Sequence, residues 1–179
     1  MHPLILKTPR LELLLEDTEA VLKRIEELPD ADRAEVSPAW IEQLRSNPPN
    51  AWTHGFTVRE IVSGLVVGSC GYKGPPSEAG VVEIAYGIDP AWRGRGYAKE
   101  AAAALVQFAY QSGASMVLAH TLPESSPSTS VLKSSGFEYM GRVVDPEDGP
   151  VWQWKHCVGS PNNALQRTGS AGEHFDSKT

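Results

Sequence analysis

The sequence predicts an α/β domain built on a central strand–helix–strand unit, and three observations carry that prediction. Val81 to Ile88 is an apolar run of strand length that Asp89-Pro90 breaks. Tyr97 to Gln111 then carries Ala101, Ala102, Ala103, Ala104, Leu105, Phe108 and Ala109, strong helix formers on the whole. Gly113 stops that helix ahead of a second apolar run, Ser115 to Leu122. Two strands joined by a crossover helix lie parallel, so this βαβ unit forms the middle of a mixed sheet, which we expect to hold about six to seven strands.

The other elements follow in chain order. Leu11 to Leu15 is a short apolar strand behind Thr8-Pro9-Arg10. Asp17 can cap a helix whose apolar positions Ala20, Val21, Ile25 and Leu28 fall at helical spacing, and Pro29 stops it. Residues 30–37 read as an acidic loop, and Ser37-Pro38 opens a second helix through Trp40, Ile41 and Leu44. Trp52, His54, Phe56 and Val58 alternate as in a strand, with Leu65 to Tyr72 as its antiparallel partner across Ser63-Gly64. After the central unit, Ser126 can cap and Pro127 can begin a short helix that Gly136 closes. Glu138 to Val144 and Val151 to His156 form a last hairpin, in which Trp152 and Trp154 cover one sheet face.

Composition bounds the partners. The chain has 179 residues, 41 % hydrophobic and 21 % charged, as in an ordinary globular domain, which we place at residues 1–158. Sixteen basic against twenty-two acidic residues give a net charge of -6, which disfavours nucleic acid or an anionic membrane and suits a cationic substrate. No apolar run is long enough to span a bilayer, and the start of the chain has no secretory signal, so a cytoplasmic setting is expected. Cys70 and Cys157 lack metal-ligand spacing, and no metal site is expected. Residues 159–179 are rich in Gly, Ser, Asn and Thr and are expected to be a disordered tail.

Arg93-Gly94-Arg95-Gly96-Tyr97-Ala98 joins the first strand of the central unit to its helix. Two glycines one residue apart let successive backbone N–H groups approach one anion, and the helix start adds donors and partial positive charge. Position 99 is Lys, which excludes a dinucleotide fingerprint, and no Gly-Lys-Ser/Thr follows as a P-loop requires.

The Arg-x-x-Gly-x-Ala pattern within Arg93 to Ala98, following Val82 to Pro90, resembles motif A of the GNAT acyltransferases, whose loop holds the pyrophosphate of acyl-CoA. Ser125-Ser126-Pro127-Ser128 followed by a helix ending in Gly136-Phe137 resembles the family's second motif, Asn-x-x-Ser with Gly-Phe. The likeness covers roughly residues 8–156, and Thr8-Pro9-Arg10-Leu11 is similar to the opening of ribosomal-protein N-terminal alanine acetyltransferases.

The resemblance implies an acetyl-CoA-dependent N-acetyltransferase of the GNAT fold. It assigns pyrophosphate binding to Arg93, Gly94, Arg95, Gly96, Tyr97 and Ala98. It puts the backbone N–H that polarises the thioester at about Ile88, beside a bulge, and a carboxylate base at Glu83. Ser125 stands where the family has Asn, and Leu132 where many members have an acid Tyr, which leaves Ser128 as the candidate proton donor. The expected acceptor is a protein or peptide N-terminus. An α-amine has a pKa near 8, whereas deprotonating a lysine-type amine at pH 7.5 costs roughly 4 kcal/mol. The alternatives are a small cationic amine such as an aminoglycoside or polyamine, and an acyl-CoA-binding module without turnover. Asn163-Ala164-Leu165-Gln166-Arg167-Thr168 resembles read-through into the recombination site of a bacterial integron gene cassette. The oligomer expected is a monomer or homodimer.

Overall fold

The computed structural model describes residues 4–146 and 148–157. The tail expected from residue 159 lies outside the described residues. Eight strands run through the described residues: β1 (Ile5–Lys7), β2 (Leu11–Leu15), β3 (Phe56–Glu60), β4 (Val66–Tyr72), β5 (Val81–Ile88), β6 (Met116–Thr121), β7 (Glu138–Asp145) and β8 (Gly149–Cys157). They form one mixed sheet in the order β1-β2-β3-β4-β5-β6-β8-β7. Among the described residues only β5 and β6 pair in parallel, as the βαβ reading requires. Five helices accompany them: α1 (Thr18–Glu26), α2 (Asp30–Ala34), α3 (Pro38–Ser46), α4 (Tyr97–Gln111) and α5 (Pro127–Ser134).

Caps set the helix boundaries. The carboxylate of Asp17 accepts from Ala20 N–H, and the hydroxyl of Ser37 from Trp40 N–H. At α5, Ser126 and Thr129 satisfy each other's backbone N–H groups in a capping box, with Pro127 at the first helical position. Helix α4 buries Ala101, Ala102, Leu105 and Ala109, small residues alternating with one Leu, against Val82, Ile84 and Val117 of the sheet. Tyr72 crosses that layer and donates its hydroxyl to Leu105 O at 2.6 Å. A smaller cluster of Val21, Ile25 and Leu44 joins α1 to α3.

Three local expectations are corrected. The sheet has eight strands among the described residues, because Ile5–Lys7 pairs with Glu12 to Leu14, a segment too short to show periodicity. Residues Asp30–Ala34 of the expected acidic loop wind into one helical turn, with Asp30 paired to Arg33 three residues on. The strand read from Trp52 starts at Phe56. Residues 51–54 form a turn, from which Trp52 stacks on Tyr72 (4.6 Å) and His54 points inward to Thr18 and Thr53. That inward packing mimics strand alternation. The last hairpin agrees with expectation: Trp154 is buried with its indole N–H on Thr121 Oγ1 at 3.0 Å, and Trp152 is half-buried.

Candidate active site

The site begins with a strand that loses one neighbour half-way along. Lys73 N–H donates to Glu83 O (3.0 Å) and Asp89 N–H to Val67 O (2.9 Å), so the odd-numbered residues of β5 bond to β4. Antiparallel pairing alternates, which turns the N–H groups of Ile84, Tyr86 and Ile88 toward β6. Strand β6, however, pairs only from Val81↔Met116 to Ile84↔Ala119. Beyond that point the two strands part, and Tyr86 and Ile88 present backbone N–H groups to an open wedge. Ile88 thus stands where a donor was expected, without the expected bulge: β4 and β5 keep register from Tyr72↔Ile84 to Gly68↔Ile88. The opening comes from the end of parallel pairing.

At the end of β5 the chain makes a 3-10 turn, Pro90–Trp92, and enters the glycine loop. Gly94 and Gly96 take positive φ values of 76° and 80°, a region costly for any residue with a Cβ. Gly96 caps α4 without a side-chain bond. Among the described residues no group accepts from the N–H groups of Gly94 to Lys99, so the loop and the helix start offer a row of free donors. Arg95 is exposed with its guanidinium over the Trp92 ring at 4.8 Å. Arg93 Nε instead donates to Ile88 O at 2.9 Å, tying the loop to the wedge. Ala98 is half-buried, and the Tyr97 ring is buried in the core, so Tyr97 can meet a ligand through its backbone only.

Two residues that the sequence reading passed over brace this loop. Arg10 donates from Nη1 to Arg95 O (2.9 Å) and pairs with Glu100 (2.7 Å), while Glu100 also accepts from Thr8 Oγ1 and Arg10 N–H. Burial pushes the Glu100 carboxyl up, but Thr8 and Arg10 outweigh it and hold the group below its ordinary value. A Cβ at Gly96 would come within 3.3 Å of Arg10 Nη2.

Beside the wedge lies a cavity of about 330 Å³. Tyr86, Thr121, Ser128 and Leu132 line it together with Lys73, Glu83, His120 and Asp148. Glu83 Oε1 lies 3.2 Å from Lys73 Nζ and 3.0 Å from His120 Nδ1, and Asp145 Oδ2 lies 3.7 Å from the same nitrogen. The His120 ring is turned so that its contact with Glu83 is an ion-pair distance without an aligned hydrogen bond. On the other side of the ring, His120 Nε2 lies 3.2 Å from Gln153 Nε2. Glu83, His120 and Asp145 bring ligand-type atoms within 4.8 Å of one another, but the Lys73 ammonium already supplies the cation there.

Ser128 does not cap α5, since Ser126 does. Its hydroxyl lies 3.4 Å from the Tyr86 hydroxyl, which burial holds above the ordinary tyrosine value. Leu132, one turn on, is fully buried. Ser125 is exposed before α5 and lines neither this cavity nor its neighbour. The neighbour, of about 300 Å³, meets the first at Ala85 and Tyr86 and is lined by Glu16, Arg24, Trp40, His54 and Tyr72. Cys70 also touches it, but burial pushes its thiol far up and leaves it no nucleophile.

The acetyltransferase (GNAT) domain profile matches residues 5–138, which include the wedge, the glycine loop and Ser128. The chain belongs to the GNAT acetyltransferase family. A protein described as an uncharacterized N-acetyltransferase p20 of Bacillus licheniformis is 32 % identical over 83 residues, 46 % of this chain and 47 % of that one, so the match spans about half of that relative's length. The fold is similar to a ribosomal-protein-S5-alanine acetyltransferase from Vibrio fischeri (TM-score 0.63, 13 % identity, 86 % of this chain and 96 % of that one). It is equally similar to a spermidine N-acetyltransferase chimera from Vibrio cholerae and hSSAT (TM-score 0.65, 15 % identity, 88 % and 99 %). For this GNAT domain the acyl donor is acetyl-CoA. The unpaired donors of Gly94 to Lys99 and the side-chain-free space above Gly94 fit its pyrophosphate. No helix among the described residues is long and apolar enough to cross a membrane.

Proposed function

We propose that this protein transfers acetyl from acetyl-CoA to a primary amine by direct attack, and that the amine is the N-terminus of a protein or peptide. One observation supports this above the others. A single strand, β5, carries the open N–H groups of Tyr86 and Ile88 on its edge and the Glu83 carboxylate three residues before Tyr86, with one cavity lined by both Glu83 and Tyr86.

The residues divide the work. Gly94, Gly96 and Ala98 hold the pyrophosphate by backbone, and Arg95 adds charge from the surface; Arg93 fixes the loop to Ile88. Acetyl-CoA supplies an acyl carbon on a good leaving group. Ile88 N–H, with Tyr86 N–H beside it, stabilises the charge that develops on the thioester oxygen. Glu83 takes the proton of the attacking ammonium, directly or through one water. Ser128, hydrogen-bonded to Tyr86, returns a proton to the departing sulfur.

The test is acetyl-CoA-dependent thiol release with product mass, using Ala- and Ser-starting peptides, polyamines and aminoglycosides. The expected product is an N-terminally acetylated peptide, and Glu83→Gln should lower kcat by roughly 10²–10⁴-fold. Acetylated polyamine with unmodified peptide would replace the acceptor. Bound acetyl-CoA without thiol release would mean a binding module.

A further inference from the structure

Lys73 sits where the proposed reaction has no evident use for a cation. It follows the last residue of β4, opposite Glu83 in register, and its ammonium lies 3.2 Å from Glu83 Oε1 and 3.0 Å from Asp148 Oδ2. The β7–β8 turn thereby reaches across the cavity to a residue seventy-five positions away. Burial pulls the ammonium down, but Asp148 and Glu83 outweigh it and hold Lys73 above the ordinary lysine value, so its charge is fixed at neutral pH. The titratable groups facing this point are Glu83 from β5, His120 from β6, Asp145 at the end of β7 and Asp148 in the turn.

We infer that Lys73 determines acceptor choice: its ammonium, seated on the proton-accepting carboxylate, selects readily neutral α-amines over strongly basic amines such as polyamines. The inference rests on the acetyl-transfer reading above and names what that site discriminates. A positive charge beside a bound amine opposes its protonated form. At pH 7 an α-amine of pKa near 8 is already about one-tenth neutral, whereas an amine of pKa above 10 is neutral in fewer than about one molecule in a thousand. The first can enter beside Lys73 as the nucleophile it must become, and the second pays the repulsion. Lys73 also occupies two carboxylates of the cavity lining, Glu83 and Asp148, that would otherwise draw in a polycation.

The experiment compares kcat/KM for an Ala-starting peptide and for spermidine, with pH profiles, in the wild type, Lys73→Met and Lys73→Arg. For Lys73→Met at pH 7 the expected result is roughly a tenfold loss on peptide and a tenfold gain on spermidine, with the ascending limb of the peptide profile moved up by about one pH unit. Lys73→Arg should keep the wild-type ratio and profile. An unchanged ratio and limb in Lys73→Met overturn the inference. Should that variant not fold, Asp148→Asn reads the same effect with the opposite sign, because it leaves the Lys73 charge less compensated and raises the peptide-to-spermidine ratio. A wild type inactive on peptides but stimulated on spermidine by Lys73→Met would remove the peptide acceptor and keep the role of Lys73. Absence of turnover on every amine overturns both readings.

Discussion

At Gly96 the requirements of backbone and ligand coincide. Its φ of 80° already excludes most side chains, its missing Cβ leaves room for Arg10 Nη2, and the donors around it have no acceptor of their own. Gly96→Glu adds strain and a negative charge in the place meant for phosphate. Calorimetry should find acetyl-CoA binding lost while the far-UV circular dichroism of the fold survives; retained affinity would remove the anion-loop argument. Arg93, expected to bind phosphate, also donates from Nε to Ile88 O, a bond that ties the loop to the end of β5.

Helix α4 buries Tyr97, Ala101, Ala102, Leu105, Val106 and Ala109, and it positions the loop at its own N-terminus. Leu105 is fully buried between the small residues Ala101, Ala102 and Ala109, which cannot close over a void. Leu105→Ala should cost about 2–5 kcal/mol in urea denaturation, and a value near the lower end would mean that the sheet relaxes onto the helix. The helices were legible in the sequence wherever a cap announced them: Asp17, Ser37 and Ser126 all accept the predicted backbone bond. The start of β3 was misread because Trp52 and His54 face inward from a turn, and period alone cannot separate that from a strand. The glycine loop could be picked out because its glycines and the helix start are contiguous in sequence, whereas Ser128 came from the family resemblance. Lys73, Asp145 and Asp148 could not be picked out, since a hairpin turn late in the chain brings its carboxylates to β4 only through sheet order. His120, on β6, likewise carries no local mark of its place 3.0 Å from Glu83. Arg10 and Glu100 brace the loop across ninety residues of sequence, with no local mark of doing so.

For the molecule as a whole, two buried histidines set the response to mild acid. His54 is nearly sealed between Thr18 and Thr53, and His156 is sealed beside Tyr110, whose hydroxyl burial has pushed up to about 12. Burial lowers both rings below the ordinary value of 6.5; Asp17 and Glu16 restore His54 only in part. The unfolded chain therefore binds more protons than the folded one below pH 6.5, and stability that is complete above that pH is lost as pH falls through it. Urea midpoints should drop between pH 7.5 and pH 5.5, and His156→Gln should flatten part of that slope if the protein tolerates it. A second fall, from depressed carboxylates such as Glu100, belongs below about pH 4.5. The burial of Cys70 has a kinetic consequence. On the proposed reading the amine attacks the thioester directly, and Cys70 is too deeply buried to carry the acetyl group as an intermediate. Both substrates must then be on the enzyme together, so reciprocal plots at several fixed acceptor concentrations converge at a point instead of running parallel.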